Sequence, residues 1–400
     1  MSFLFVIILL ERSEYMKIQI LEASKIILIT FIFSAIIMEL MKKVATHIGA
    51  IDMPRSDEGN RHIHKKATPK LGGVGIFLGF LLGYMLFGEQ SVRMNSILIG
   101  SFIVVLTGLI DDIKPIRAMH KFICHLIAAA VIVFYGGILL DNISAFGLNM
   151  NFGIFAYPLT ILFIVACTNI INLIDGLDGL SSGICSIFYL TIIIIGFYQG
   201  RYGSLVMLLS LIMLGSTLGF LLHNFNPAKI FAGDCATFMG FIISIITLLE
   251  FKGPALISFF VPITILGIPI LDTLFAIIRR LLRGQAPFKA DKEHLHHQLL
   301  GMNFSQKTTV LIIYGINLLF AAASIFYTIK DPLIGKIIYI IIFLLVIWFV
   351  FHTSIISEKS PKLTKKIKKS LKLDPEKPIV IGLFTKRQKN TKKTKKGRKK

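Results

Sequence analysis

The sequence predicts an all-α integral membrane protein, a polytopic bundle of about eleven transmembrane helices. Three observations carry that expectation. The 400-residue chain is 54% hydrophobic and only 16% charged, against roughly 25% charged in soluble domains. Its mean hydropathy is +0.76. Apolar runs near the roughly 20-residue length of a helical span recur along the chain, without the two-residue alternation of a membrane barrel.

Taken in order, the expected spans are 23–41, 71–87, 96–111, 122–140, 154–172, 182–199, 203–222, 235–250, 254–278, 309–328 and 334–352. Glycine-rich openings such as Gly72-Gly73-Val74-Gly75 suit close approach of helices in a membrane. The organisation that follows is an N-terminal extension over 1–22, a transmembrane domain over 23–352 and a polybasic tail over 353–400. Phe3–Leu10 is too short to span and lacks the basic flank and cleavage site of a signal peptide. Met16-Lys17 opens a better membrane-entry sequence and is an alternative start.

Charge orients the bundle. Loops on one side hold seventeen basic residues: Lys42, Lys43, Arg55, Arg61, Lys65, Lys66, Lys70, Lys114, Arg117, Lys121, Lys229, Arg279, Arg280, Arg283, Lys289, Lys292 and Lys307. The other side holds five, Arg93, Arg201, Lys252, Lys330 and Lys336. The positive-inside rule makes the richer side cytoplasmic and the protein a multi-pass protein of the cell membrane. Much of the net charge of +21 sits in the tail, where 18 Lys/Arg from Lys359 onward face only Asp374 and Glu376. Such a tail is expected to be disordered and cytoplasmic and to meet anionic membrane lipids. It lacks the aromatic interleaving of a nucleic-acid surface, and no nucleic acid is expected as a partner. The four cysteines, at 124, 167, 185 and 235, have no metal-like spacing and read as small packing side chains.

Every polar constellation falls on the cytoplasmic side, which suggests an active site at the membrane surface, whereas a transporter concentrates polar groups near mid-membrane. The first loop carries Asp52-Met53-Pro54, Arg61, His64, Lys66 and Lys70, cations on a proline-braced segment able to clamp phosphates or simply to orient the loop. Asp111-Asp112 closes an apolar span, and such a pair is costly to place there without a role. It could hold a divalent cation or remove a proton, or be neutralised by Lys114 and Lys121. In Asn169-Ile-Ile-Asn172-Leu-Ile-Asp175-Gly176-Leu177-Asp178-Gly179, helical spacing puts Asn169, Asn172 and Asp175 on one face. Gly176 and Gly179 then let the backbone turn towards a ligand. Asn224-Phe-Asn226-Pro227 leads to Gly233-Asp234 before another apolar run, where Asp234 could cap a helix, ligate a metal, or both. The last loop holds Arg279, Arg280, Arg283, Asp291, His294, His296 and His297. Three histidines without a thiolate and among many cations fit anion or sugar recognition better than zinc.

These stretches, in this order over roughly 42–300, resemble the polyprenyl-phosphate N-acetylhexosamine-1-phosphate transferases, glycosyltransferase family 4. The run His294-Leu295-His296-His297 with Asp291 before it resembles the branch that uses UDP-GlcNAc or similar UDP-sugars. The resemblance implies a helical bundle, often a homodimer, with Mg²⁺ (or Mn²⁺) in a cytoplasmic cleft. It implies Asp234 and Asn172 at the metal, Asp178 and Lys70 near the uridine, and Asp111 with Asp112 at the lipid phosphate. Asn169 and Asp175 would contact substrate. Arg61, His64, Arg280, His294, His296 and His297 would meet the diphosphate and sugar. The chain departs from the family at Cys235-Ala236-Thr237, where a small hydroxyl–Gly–Ser sequence is usual.

The expected function is therefore transfer of a sugar-1-phosphate, GlcNAc-1-phosphate first among the choices, from a UDP-sugar to polyprenyl (undecaprenyl) phosphate with release of UMP. Phosphoryl transfer of this kind needs charge neutralisation and in-line positioning more than a strong base. A transporter or receptor for a nucleotide-sugar or lipid carrier is the second reading and would place polar residues at mid-span. A CDP-alcohol phosphotransferase would need an Asp-Gly-x-x-Ala-Arg stretch, which Asp175–Gly183 lacks.

Overall fold

The structure, a computed structural model, describes residues 2–53, 67–145, 148–250 and 304–329, with isolated positions between 334 and 344. Those residues form nine α-helices. They are α1 (Ser2–Ile48), α2 (Gly72–Phe87), α3 (Val92–Ile113), α4 (Ala118–Ala130), α5 (Ala156–Ile174), α6 (Leu180–Tyr198), α7 (Leu205–Asn224), α8 (Thr237–Glu250) and α9 (Gln306–Ile329). They correspond one for one to nine of the eleven expected spans. The remaining two, 254–278 and 334–352, and the tail fall largely or wholly outside the described residues. Among the described residues, seven helical segments are long and apolar enough to cross a membrane, α4 reaching that length through a π-helical turn over Val131–Tyr135. The protein is thus an all-α, multi-pass membrane protein.

α1 runs without interruption from Ser2 to Ile48. α3 starts four residues earlier than expected because Ser91 caps it, its Oγ accepting from the Met94 N–H at 3.1 Å. The helix continues to Ile113, which places Asp111 and Asp112 within its last turn. Two small antiparallel hairpins interrupt the helices: β1 (Ile51–Asp52) with β2 (Thr68–Pro69), and β3 (Asn142–Ala145) with β4 (Leu148–Asn151).

Burial ranks the helices. In the most apolar windows of α6 and α7, 72% and 67% of residues are buried, against 22% in α1 and 28% in α4. α6 and α7 therefore form the centre with α8, whose residues from Thr237 to Leu248 are all buried. Lipid supplies little hydrophobic drive for helix association, so close packing must supply it. α2 does so through glycine. A methyl at Gly75 would meet Met38 of α1, and one at Gly83 would meet Ile212 of α7 at 2.7 Å. The four cysteines form no disulfide, and Cys167, Cys185 and Cys235 are buried.

Alternation of the helices brings the C-terminal ends of α3, α5 and α7 together with the N-terminal ends of α2, α4, α6 and α9. All the described polar motifs collect at that end.

Candidate active site

Asp234 joins four segments. Its Oδ1 accepts from Asn172 Nδ2 at 3.0 Å, from the end of α5, and lies 3.2 Å from Lys121 Nζ in the first turns of α4. Its own N–H is 3.0 Å from both carboxylate oxygens of Asp112 on α3. Gly233 makes this possible: φ is +71° and ψ −165°, a conformation essentially confined to glycine. A methyl there would collide with the Asp112 carboxylate and the Lys70 carbonyl. The 231–233 backbone is fixed in turn by Phe231 N–H to Pro69 O at 2.8 Å, Gly72 N–H to Phe231 O at 2.8 Å and Gly73 N–H to Ala232 O at 2.9 Å. Asp234 does not cap α8; a short 3-10 turn over Asp234–Ala236 precedes the helix.

Asp111 completes the group. Its Oδ1 accepts from the Ile116 N–H at 3.0 Å, which shapes the loop into α4, and its Oδ2 lies 3.2 Å from Lys121 Nζ. Lys121, rather than the sequence neighbour Lys114, therefore neutralises the acids. Its ammonium is equidistant from Asp111 and Asp234.

A second cluster lies beside the first. Asp178 is 4% exposed, and its Oδ2 accepts from Asn226 Nδ2 at 2.8 Å and the Ala228 N–H at 3.0 Å. Asn226 also donates to Gln306 Oε1 on α9 at 2.9 Å. Asn224 locks the turn from the other side: its Oδ1 accepts from the Gly179 N–H at 2.9 Å and Ser182 Oγ at 3.2 Å, and its Nδ2 donates to Ile230 O at 2.9 Å. Tyr314 of α9 donates its hydroxyl to Gly179 O.

The expected common face of Asn169, Asn172 and Asp175 is not realised. α5 ends at Ile174, and Asp175 takes φ −76° and ψ 43°, so its carboxylate turns to accept from Ser181 Oγ at the start of α6. Burial pushes the Asp175 carboxyl up to about 6, the Ser181 bond opposing and the nearby Asp178 charge adding to the rise. Asn169 donates to Val165 O at 2.7 Å and lies 3.3 Å from His125 Nδ1, behind the cleft rather than on its wall.

The cleft between these groups encloses about 320 Å³, and Lys70, Asp111, Asp112, Asn172, Asp175, Asp178 and Asp234 all line it. Lys70 pairs with Asp52 across the base of the β1–β2 hairpin at 3.2 Å. Arg61, His64, Arg280, His294, His296 and His297 lie outside the described residues. Sequence reasoning gave no role to Ser181, Gln306 or Asn226. The available signal was position: Ser181 follows Gly179 at a helix start, and Asn226 precedes Pro227 in a motif already rich in amides.

The donor set suits a hard divalent cation. Asp234 Oδ2 is buried and has no hydrogen-bond partner among the described residues, a costly state for a carboxylate oxygen. Mg²⁺ typically takes one or two carboxylates with substrate phosphates rather than an all-protein cage. Among the described residues no cluster of three or more His, Cys, Asp or Glu is arranged as such a cage. Cys235 is buried and does not line the cleft; its Sγ donates to Val105 O at 3.4 Å.

Fold and cleft together define a polytopic membrane protein with an aspartate-lined cleft at one end of its helical bundle. Comparison with known proteins makes the class specific. The family described as glycosyl transferase family 4 matches residues 94–250. A Bacillus subtilis (strain 168) protein named "Probable undecaprenyl-phosphate N-acetylglucosaminyl 1-phosphate transferase" is 40% identical over 357 residues, covering 86% of this chain and 97% of the relative. The Mycobacterium tuberculosis (strain ATCC 25618 / H37Rv) decaprenyl-phosphate N-acetylglucosaminephosphotransferase is 32% identical over 326 residues, 73% of this chain and 80% of the relative. A Clostridium botulinum (strain Alaska E43 / Type E3) phospho-N-acetylmuramoyl-pentapeptide-transferase is 32% identical over 284 residues, 65% of this chain and 85% of the relative. The chain belongs to glycosyl transferase family 4.

Proposed function

We propose that this protein transfers GlcNAc-1-phosphate from UDP-GlcNAc to polyprenyl (undecaprenyl) phosphate, as the first membrane step of a cell-envelope glycan. An oxygen of the lipid phosphate attacks the β-phosphorus of the donor, the bond to the bridging oxygen breaks, and UMP leaves. The observation that carries this reading is the convergence of Asp111, Asp112, Lys121, Asn172 and Asp234 at one end of a membrane bundle. There a lipid headgroup and a water-soluble donor can meet. The transporter reading is not favoured: the described clusters lie at helix ends, and the relatives carry transferase names.

Each residue then has a task. Asp112 fixes the backbone of Asp234, and Asp234 with Asn172 would hold Mg²⁺ or Mn²⁺. The bound metal would neutralise the diphosphate and polarise the phosphorus under attack. Asp111 orients Lys121 beside the acceptor phosphate, whose own charge near neutral pH makes a strong base unnecessary. Asp178 and Lys70 hold the uridine side and Asp175 supports that wall. Arg61, His64, Arg280, His294, His296 and His297 serve the diphosphate and sugar. The two further spans, 254–278 and 334–352, complete an eleven-span bundle with the cleft and tail cytoplasmic, in a protein able to form a homodimer.

The test uses purified protein, polyprenyl phosphate, Mg²⁺ and UDP-GlcNAc labelled in the sugar. Label entering the lipid with stoichiometric UMP release, abolished by Asp234→Ala, supports the proposal. Saturable donor binding without turnover returns the transporter or receptor reading. A trapped phospho-aspartate at Asp234 or Asp111 replaces the one-step path with a covalent one.

A further inference from the structure

We infer that Lys121 is a resident countercation that the divalent metal must displace from Asp234, and that its release readies the site for the phosphate of the lipid acceptor. The inference rests on the metal reading of Asp234. Its carrying observation is the placement of a single ammonium 3.2 Å from Asp234 Oδ1 and 3.2 Å from Asp111 Oδ2. Lys121 is only 23% exposed at its side chain, and the two carboxylates are 12% and 17% exposed. Three carboxylates crowd this corner, since Asp112 lies against the Asp234 N–H. Without a cation among them their mutual repulsion would be severe in so little water. One ammonium supplies that cation while the metal is absent.

A doubly charged ion bound at Asp234 changes the balance. Ammonium and metal then share one carboxylate at close range, and their repulsion weakens the Lys121–Asp234 contact. The contact with Asp111 needs no such sharing. Lys121 can keep Asp111 and swing its ammonium towards the cleft, where a phosphate gives it an anionic partner in place of Asp234. Metal and lipid phosphate therefore bind with positive coupling, each strengthening the other by the same factor. Asn172, which donates to the same Asp234 oxygen at 3.0 Å, is neutral and can stay.

The experiment measures Mn²⁺ binding to the detergent-solubilised full chain by electron paramagnetic resonance, with and without a short-chain prenyl phosphate, in the absence of donor. The variants are Lys121→Met, which keeps the length of the side chain and removes its charge, and Asp234→Asn. Wild type is expected to bind Mn²⁺ more tightly when prenyl phosphate is present. Lys121→Met is expected to bind Mn²⁺ alone about tenfold more tightly than wild type, as loss of a competing charge at this range implies, and to lose the coupling. Mn²⁺ binding in Lys121→Met equal to or weaker than wild type, or coupling retained, overturns the inference. Mn²⁺ binding that Asp234→Asn leaves unchanged would instead remove the metal from Asp234, and so fail the underlying reading. Thermal unfolding of Lys121→Met, compared with Lys121→Arg, separates a folding defect from a change in the site.

Discussion

Replacing Gly233 by alanine tests whether the position of Asp234 depends on the backbone beside it. Gly233 sits at φ +71°, and an added methyl would run into the carboxylate of Asp112 and the carbonyl of Lys70. The conformation alone costs a side chain about 1 to 3 kcal/mol. The Lys70 carbonyl is backbone, held by the hydrogen bonds of the 69–73 and 231–233 segments, so the loop rather than its neighbours must give. Displacing Asp234 by about 1 Å is enough to cost about 100-fold in rate. Gly203, in the α6–α7 connection at the opposite end, provides the control: its φ is +87° and a methyl there meets nothing within 4 Å. Gly203→Ala should therefore lose about 1 to 2 kcal/mol of stability with turnover per folded molecule intact. Gly233→Ala should lose about 100-fold or more in kcat while still folding. Both are read by initial-rate assays normalised to folded protein from size-exclusion profiles and thermal melts. A Gly233→Ala enzyme within threefold of wild type, or equal losses in the two variants, would refute the reasoning.

Other consequences are independent of that one. The Asp175 carboxyl sits at about 6 rather than 3.8, so the folded protein holds this proton more tightly than the unfolded chain. Stability should fall as pH rises from about 4 to about 6, and by neutral pH the cost reaches about 3 kcal/mol. Asp175→Asn keeps an acceptor for Ser181 and removes the ionisation; it should melt higher than wild type at pH 7.5 and show a flatter pH profile, and an unchanged melting temperature contradicts the reading. Asn224→Ala leaves the Gly179 N–H and the Ile230 carbonyl without their buried partner, at about 1 to 3 kcal/mol each; its melting temperature should drop, and wild-type thermal stability would show that the clamp is dispensable. Asp178→Asn should raise the KM for the UDP-sugar at least about tenfold with a smaller change in kcat, the signature of lost ground-state binding, whereas a kcat loss at constant KM would move Asp178 towards the chemistry.

Hydropathy located the helices because each must cover most of a bilayer in apolar side chains, and most of the nine described helices start and stop within a few residues of the expected spans, the exceptions being α1, which runs from Ser2 to Ile48, and α4, which ends at Ala130. The limits lay at the ends, where caps rather than hydropathy decide. Ser91 drew α3 out to Val92, and the turn at Asp175 ended α5 one residue before the face-sharing rule would have used it. The acids themselves were legible, since a carboxylate at a span's end is too costly to be idle. Their partners were not, because hydrogen bonds such as Asn172 to Asp234 and Asn226 to Asp178 join residues far apart in the chain. Lys121 was legible only as a neutralising charge. Its equal distance from Asp111 and Asp234 depends on how α4 returns beside α3, against which the turn holding Asp234 also packs. The opposite case is Asn169, whose helical spacing from Asn172 suggested a shared task. Its amide is instead engaged behind the cleft by Val165 and His125.

The central claim concerns which bond of the donor breaks, and a donor labelled with ³²P at the β-phosphorus tests it most directly. Incubated with polyprenyl phosphate, Mg²⁺ and the purified protein, sugar-1-phosphate transfer carries the ³²P into the lipid phase and leaves unlabelled UMP in the water. Label retained in the water as UDP, with the sugar alone reaching the lipid, would mean cleavage at the sugar carbon and would contradict the account.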